Sequence, residues 1–420
     1  MHRKTILKND LRIITVPMEG TKAATLLVLV GTGSKYEKEE ENGISHFLEH
    51  MFFKGTKKRP NQLKIAETLD KVGGEYNAFT GKEYTGYWVK VASEHFDLAL
   101  DWVSDVFLNS KIEEKEIEKE KGVIIEEINM YLDMPRSYIW CLWEKLLYGN
   151  QPAGWMVSGE KKNVKGLKRK NFLNYLKNHY STKNTIVCVA GDIKSNLVEK
   201  QIKKYFKKTR TSKPKVKLEV IEKQDRSQTL IHFKKTDQTH LCLGVRGYGL
   251  LHPEKYIQAV LATILGGMMS SRLFILIRGK GLAYYVGTSS QAYTDSGYLV
   301  TSAGIDNRRV EKAITAILKE YKAMKNRKIE KAEIQKAKEY LKGILTLRLE
   351  SSDAQASFYG MQELLENKVL TPEQVFSKID AVGIDDVQEL AKEIFQPEKL
   401  NLALIGPFKD KTKFQQLLKL

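Results

Sequence analysis

Residues 25–33 read Thr25-Leu26-Leu27-Val28-Leu29-Val30-Gly31-Thr32-Gly33, and residues 240–249 read His240-Leu241-Cys242-Leu243-Gly244-Val245-Arg246-Gly247-Tyr248-Gly249. Each is a short apolar run stopped by a Gly-x-Gly, the pattern of a buried strand running into a turn. Gly31 and Gly247 stand 216 residues apart. Further along, Thr185-Ile186-Val187-Cys188-Val189-Ala190-Gly191 matches Leu400-Asn401-Leu402-Ala403-Leu404-Ile405-Gly406, at an offset of 215. Two distant matches at nearly one offset predict a duplicated chain, each half being of single-domain size. Strands and helical stretches alternate unevenly within each half. The expected fold class is therefore α+β: two homologous α/β-sandwich domains, each a mostly antiparallel sheet covered by helices. The polar, basic stretch Thr209–Lys215 reads as a linker, which sets a first domain at 1–209, a linker at 210–224 and a second domain at 225–420.

Working outward, composition supports a globular chain: 42% hydrophobic and 29% charged residues among 420 suffice for real cores. The longest apolar stretches, such as Ala23 to Val30, fall far short of the roughly 20 residues that span a bilayer. No membrane span is expected. The N-terminal residues Met1-His2-Arg3-Lys4-Thr5 carry no apolar h-region, and Cys141, Cys188 and Cys242 are too few and too unpatterned for a disulfide framework or a cysteine metal site. A cytoplasmic location is the expectation. The net charge of +18 raises the question of nucleic acid, and nine Lys or Arg fall between Lys200 and Lys217 without an acid. That stretch lacks any RNA- or DNA-reading motif and reads as a solvated helix end and linker, so no nucleic-acid partner is expected.

Chemistry enters just after the first Gly-x-Gly, at Asn42-Gly43-Ile44-Ser45-His46-Phe47-Leu48-Glu49-His50-Met51-Phe52-Phe53. Ile44, Phe47, Leu48, Met51 and Phe52 form the stripe of an amphipathic helix, with Asn42 its expected N-cap. His46, Glu49 and His50 take the opposite face. Two imidazoles one turn apart are half of a tetrahedral zinc site, and a carboxylate on the same face can take the proton of a water that zinc has acidified. With 8 His and 51 acids in the chain, chance gives about 0.02 occurrences of this pattern, so it carries weight.

Such a site needs a third ligand from elsewhere. In the helical stretch Glu113–Tyr131, Ile117, Ile124, Ile128 and Tyr131 share a face, and Glu120 and Glu127 fall within or beside it, whereas Glu114, Glu118 and Glu126 point outward. Inward carboxylates need a cation or strong donors, and an internal salt bridge with Lys or Arg serves as well as a metal.

At these residues the chain resembles the pitrilysin/insulinase family of inverted-motif zinc peptidases, most of all the subgroup of the mitochondrial processing peptidase β subunit and its bacterial relatives. The motif is H-x-x-E-H. The resemblance implies one zinc ion per chain held by His46, His50 and Glu127, which lies 76 intervening residues beyond His50. It implies Glu49 as catalytic base and Glu120 as a second catalytic acid that assists without binding metal. It further assigns Asn77 and Ala78, in Gly73–Thr80, to holding a substrate strand at the cleft edge. Arg278 and Tyr284, in Ile277-Arg278-Gly279-Lys280-Gly281-Leu282-Ala283-Tyr284-Tyr285, would grip the substrate, with Tyr285 the competing choice because one residue is missing from the family spacing.

The second half, which reads Leu261–Gly267 at the repeat offset, has no metal motif and would close the cleft. The implied function is a zinc metalloendopeptidase acting on peptides or unfolded, extended segments. The implied assembly is a clamshell chamber made by a homodimer or by a heterodimer with a related subunit. A non-catalytic pseudo-peptidase subunit is the alternative, and the intact set of His46, Glu49, His50, Glu120 and Glu127 speaks against it.

Overall fold

The computed structural model describes residues 2–420, which form two compact units, each a mixed sheet with helices on both faces. The first sheet contains β1 (Arg3–Ile6), β2 (Arg12–Pro17), β3 (Ala23–Val30), β4 (Glu75–Thr80), β5 (Thr85–Ala92) and β6 (Thr185–Gly191), in the spatial order β1-β2-β6-β3-β5-β4. The second contains β7 (Gln228–Phe233), β8 (Gln238–Arg246), β9 (Ala283–Ala292), β10 (Gly297–Asp306) and β11 (Asn401–Gly406), in the order β7-β11-β8-β10-β9. Setting β1 aside, the two orders are the same, and each sheet has one parallel pair, β2 with β6 and β7 with β11. The segments that matched in sequence occupy equivalent places: β3 with β8, and β6 with β11.

The strands are apolar on both sides because both faces of each sheet are covered. On one face of the second sheet Leu241, Leu243 and Val245 pack with Ile314, Ile317 and Leu318 of the helix Val310–Asn326. The alternate residue Cys242 turns to the other face, with Val300, Ala403 and Ile405. In the first sheet Leu27, Leu29, Ile186 and Cys188 face Ala356 and Tyr359, while on the opposite face Phe52 stacks on Tyr87 at 4.8 Å between ring centroids.

The division of the chain differs from two continuous halves. The first unit comprises the chain up to Asn129, Trp155–Leu218 and Leu347–Leu370; the second comprises Met130–Gly154, Glu219–Thr346 and Thr371–Leu420. Each half thus gives the other one helix: Pro135–Tyr148 covers the second sheet and Ser352–Glu366 covers the first. The physical reason is burial. Ile139, Leu142, Trp143 and Leu147 of the former are all core residues of the second sheet, and leaving such side chains exposed would cost roughly 1.5–3 kcal/mol each. The incoming helix on the first sheet sits close, since a Cβ at Gly360 would lie 2.8 Å from the Leu29 side chain. Its Glu363, fully buried, is held by Lys4 at 2.7 Å and Arg12 at 3.3 Å. The expected linker 210–224 has no regular structure.

Candidate metal centre

The helix Ile44–Phe52 buries Ile44, Phe47, Leu48, Met51 and Phe52 and leaves the other face to the polar residues. Its first turn is capped in a way the sequence did not announce. Gly43, at φ +100°, is the N-cap, and the acceptor for the free N–H groups is Glu37. Gly43 N–H donates to Glu37 Oε2 at 2.7 Å, Ser45 N–H to Oε1 at 2.8 Å, and the Asn42 amide to Oε2 at 2.9 Å. Asn42 therefore supports the cap rather than forming it. Only glycine fits at 43, because the backbone is left-handed there and a Cβ would meet the Ser158 carbonyl oxygen at 2.7 Å. Burial pushes the Glu37 carboxyl above the usual range even though these donors pull the other way. Removing the acceptor strands the buried N–H groups of Gly43 and Ser45, whereas the Asn42 amide keeps the Met156 carbonyl at 3.1 Å. Glu37→Ala is expected to destabilise the protein by about 2–4 kcal/mol, and Glu37→Gln by less, as read by denaturant unfolding.

One turn later the two imidazoles meet, with ring centroids 4.7 Å apart. The third component arrives on the helix Glu114–Asp133, which buries Ile117, Glu120, Ile124 and Ile128. Tyr131, expected on that stripe, is exposed near the helix end, and Glu114, Glu118 and Glu126 face outward as their positions implied. Glu127 Oε2 lies 3.5 Å from His46 Nε2 and 3.6 Å from His50 Nε2. These separations exceed the 2.7–3.2 Å of N–H···O bonds. They match the edges of a tetrahedron around an ion with bonds of about 2.0–2.2 Å, for which ligand atoms stand roughly 3.3–3.6 Å apart. His46, His50 and Glu127 form the one group among the described residues with three such donors converging. Two nitrogens and a carboxylate oxygen are the donor set that zinc takes at a catalytic site.

The electrostatics agree. Burial disfavours the His46 imidazolium, but the Glu127 carboxylate, together with the charges of Glu49 and Glu37, holds the His46 pKa above its ordinary value. His46 in turn, more than burial opposes, holds Glu127 below the usual carboxylate range. A metal binds the unprotonated imidazole, so metal binding and proton release at this group are linked.

Glu120 stands behind His50 and not beside Glu127. Its Oε1 is 2.9 Å from His50 Nδ1, and its Oε2 accepts from Lys54 Nζ at 2.7 Å. Burial acts to raise its pKa, but His50 and Lys54 together bring it below the ordinary range. A carboxylate on Nδ1 fixes the tautomer that leaves the Nε2 lone pair for a metal, so Glu120 orients a ligand. Glu120→Gln is expected to weaken zinc affinity about 10–100-fold with the fold intact, measured by competition against a chromophoric chelator.

Glu49 lies outside the ligand group, its Oε2 accepting from Thr80 Oγ1 at 2.5 Å. Thr80 ends β4, the open edge strand of the first sheet. Asn77 and Ala78 are on that strand, where the Asn77 side-chain oxygen accepts from the Ala78 N–H at 2.9 Å. Glu49, His50, Tyr76, Asn77 and Glu120 line one cavity of about 370 Å³. Lys54 and Thr80 are members of this site that sequence reasoning missed; Lys54 sits one helical turn past His50, a spacing that could have signalled it.

Arg278 and Tyr284 belong to the second unit, on a π-helical turn and on the edge strand β9. The Arg278 guanidinium stands 5.9 Å from the Tyr284 ring centre. Tyr284 is 69% exposed, whereas the Tyr285 hydroxyl is bound to His240 Nδ1 at 3.0 Å and its ring lies under Arg136.

A zinc site on a helix packed against a mixed sheet, with a second sheet of equal topology, defines a class that comparison names. Residues 12–154 match the insulinase (peptidase family M16) domain, and residues 166–341 match the peptidase M16 inactive domain. A relative called an uncharacterized zinc protease, YmxG of Bacillus subtilis, is 37% identical over 409 residues, covering 97% of this chain and 98% of the relative. A protease structure from Helicobacter pylori superposes with a TM-score of 0.91 at 25% identity, over 97% of this chain and 100% of the other. A peptidase M16 inactive-domain structure from Pseudomonas fluorescens shares the fold, with a TM-score of 0.88 at 15% identity over 98% and 99%. The chain belongs to the insulinase family of peptidases, and its cofactor is zinc, for which His46, His50 and Glu127 are the group that fits.

Proposed function

We propose that this chain is a zinc metalloendopeptidase that hydrolyses peptide bonds in peptides or in unfolded, extended segments, with Glu49 as general base. The observation that carries the proposal is the placement of Glu49 beside, but outside, the His46–His50–Glu127 group, on the wall of a cavity reached from an open strand edge. When bound, zinc supplies Lewis acidity that acidifies water and polarises a carbonyl. The rest is done by the protein. Thr80 holds the Glu49 carboxylate, which takes the proton of the attacking water and passes it to the leaving amine. Glu120 keeps His50 in its binding tautomer.

Among the described residues β4 pairs on one side only, with β5. An extended peptide can add to its free side as a further strand, in backbone hydrogen bonds that ask little of the peptide's sequence. Asn77 and Ala78 hold that strand, and Phe53, Ile65, Tyr76 and Val123 give the cavity apolar walls for one of its side chains. Arg278 and the exposed Tyr284 are the substrate-gripping residues of the second unit. The working form is a dimer, of two copies or of one copy with a related subunit, in the cytoplasm. No helix among the described residues is long and apolar enough to cross a membrane. A quenched-fluorescence peptide library run on the zinc-loaded protein, with native mass measurement, tests the reading: cleavage abolished by chelation and restored by zinc supports it, and an inert zinc-loaded dimer refutes it.

A further inference from the structure

The two sheets differ at one edge. In the first, β1 lies antiparallel against β2, with Arg3 to Ile6 opposite Thr15 to Arg12. In the second, β7 holds the equivalent place beside β11 and no strand among the described residues covers it. Matching Gly191 to Gly406 through the two parallel pairs sets Arg12–Thr15 against Gln228–Ile231. Those four residues, with Arg226 and Ser227 before them, line a cavity of about 750 Å³ walled by Leu146, Lys411 and Gln415. The cavity thus lies along the stretch of edge that β1 covers in the first unit.

The backbone of β7 is in phase to use it. Gln228 N–H donates to the Leu400 carbonyl at 2.9 Å, and Lys234 N–H to the Gly406 carbonyl at 3.0 Å. Even-numbered residues therefore face β11, and the N–H and C=O groups of Thr229, Ile231 and Phe233 face the open side. The Thr229 hydroxyl, buried on this edge, has no hydrogen-bond partner. Unpaired edges of this kind are ready templates for another strand.

Charge selects the occupant. β1 is basic, and the first unit answers it with acids: Arg3 pairs with Glu199 at 3.0 Å and Lys4 with the buried Glu363 at 2.7 Å. The β7 cavity has the opposite character, for Arg226 and Lys411 line it with no acid among the lining residues. A second copy of β1 would set its own Arg and Lys against them. We infer that the β7 edge is a docking site for an extended, acidic segment of a partner protein, which adds antiparallel to β7 as a strand in the place that β1 takes on β2.

The probe is a fluorescein-labelled octapeptide alternating Glu with Val and Thr, mixed with the full chain carrying Glu49→Gln so that it is not cut. Two controls replace its Glu by Lys or place proline at a central position, removing a backbone donor. Binding is read by anisotropy and located by amide hydrogen exchange. The acidic peptide should slow exchange in Thr229–Phe233, and both controls should bind more weakly. Reversing Arg226 and Lys411 to Glu, both on side chains outside the core, should weaken the acidic peptide by about tenfold or more and favour the Lys peptide. Protection confined to Glu75–Thr80 would place the peptide in the proposed catalytic cleft and overturn the inference. Equal binding of the proline peptide, or indifference to the charge reversal, would overturn it too.

Discussion

Glu49→Gln is expected to keep one zinc per chain and to lose peptide cleavage by about 10²–10⁴-fold, the range for removal of a positioned general base. The two halves of this result have separate causes. Metal retention follows because Glu49 contributes no atom to the His46–His50–Glu127 group, and glutamine is isosteric with glutamate. Thr80, which donates to Glu49 Oε2, can donate equally to an amide oxygen, so the side chain stays in place. Loss of cleavage follows because that oxygen does not take up a proton near neutral pH. Elemental analysis and turnover of a quenched peptide, made on the same sample, check both halves. A variant that still cuts at the native rate removes Glu49 from the mechanism while leaving the metal site untouched.

Part of the local chemistry was readable because helical spacing dictates it. His46, Glu49 and His50 share a face once the helix forms; the inward face of Glu114–Asp133 offered Glu120 and Glu127, which a salt bridge would serve as well as a metal, and the family resemblance singled out Glu127. The arrangement of those two was settled by position: Glu127 reaches both Nε2 atoms, and Glu120 only the back of one ring. The duplication was readable because buried strands leave apolar runs closed by glycine, and β3 with β8 and β6 with β11 did.

What escaped depends on contacts between residues that no spacing rule joins. Glu37 caps a helix that begins at Ile44, because the left-handed turn at Gly43 brings the chain back beneath it; Asn42, beside the helix start, had the better local claim. The exchange of Pro135–Tyr148 and Ser352–Glu366 between units escaped for a related reason. An apolar helix face shows that it will be buried but not which sheet will bury it. Tyr284 and Tyr285 alternate about a strand, so one had to face inward, and only the strand's placement turned Tyr285 to His240. β7 is the same problem at an edge, since its residues read as a strand whether or not another strand lies alongside.

His50→Ala should separate metal from base in the opposite sense: zinc content falls from one per chain towards none, and cleavage goes with it. Removing His50 takes away one of three ligands and leaves Glu127 answered by His46 alone. It also strips Glu120 of its ring partner, leaving that largely buried carboxylate to Lys54. Because zinc binds the folded chain and not the unfolded one, wild-type protein should gain about 2.7 kcal/mol when free zinc is 100 times Kd. Thermal melts of the metal-free protein titrated with zinc should show that rise for the wild type and for Glu49→Gln, and none for His50→Ala. The metal-free melts provide the control, since similar midpoints show that the ligand was lost and not the fold. Should His50→Ala still bind one zinc per chain and show the full rise, the ion would be held elsewhere, and the joint grip of the helical turn and Glu127, on which the proposed chemistry depends, would fall.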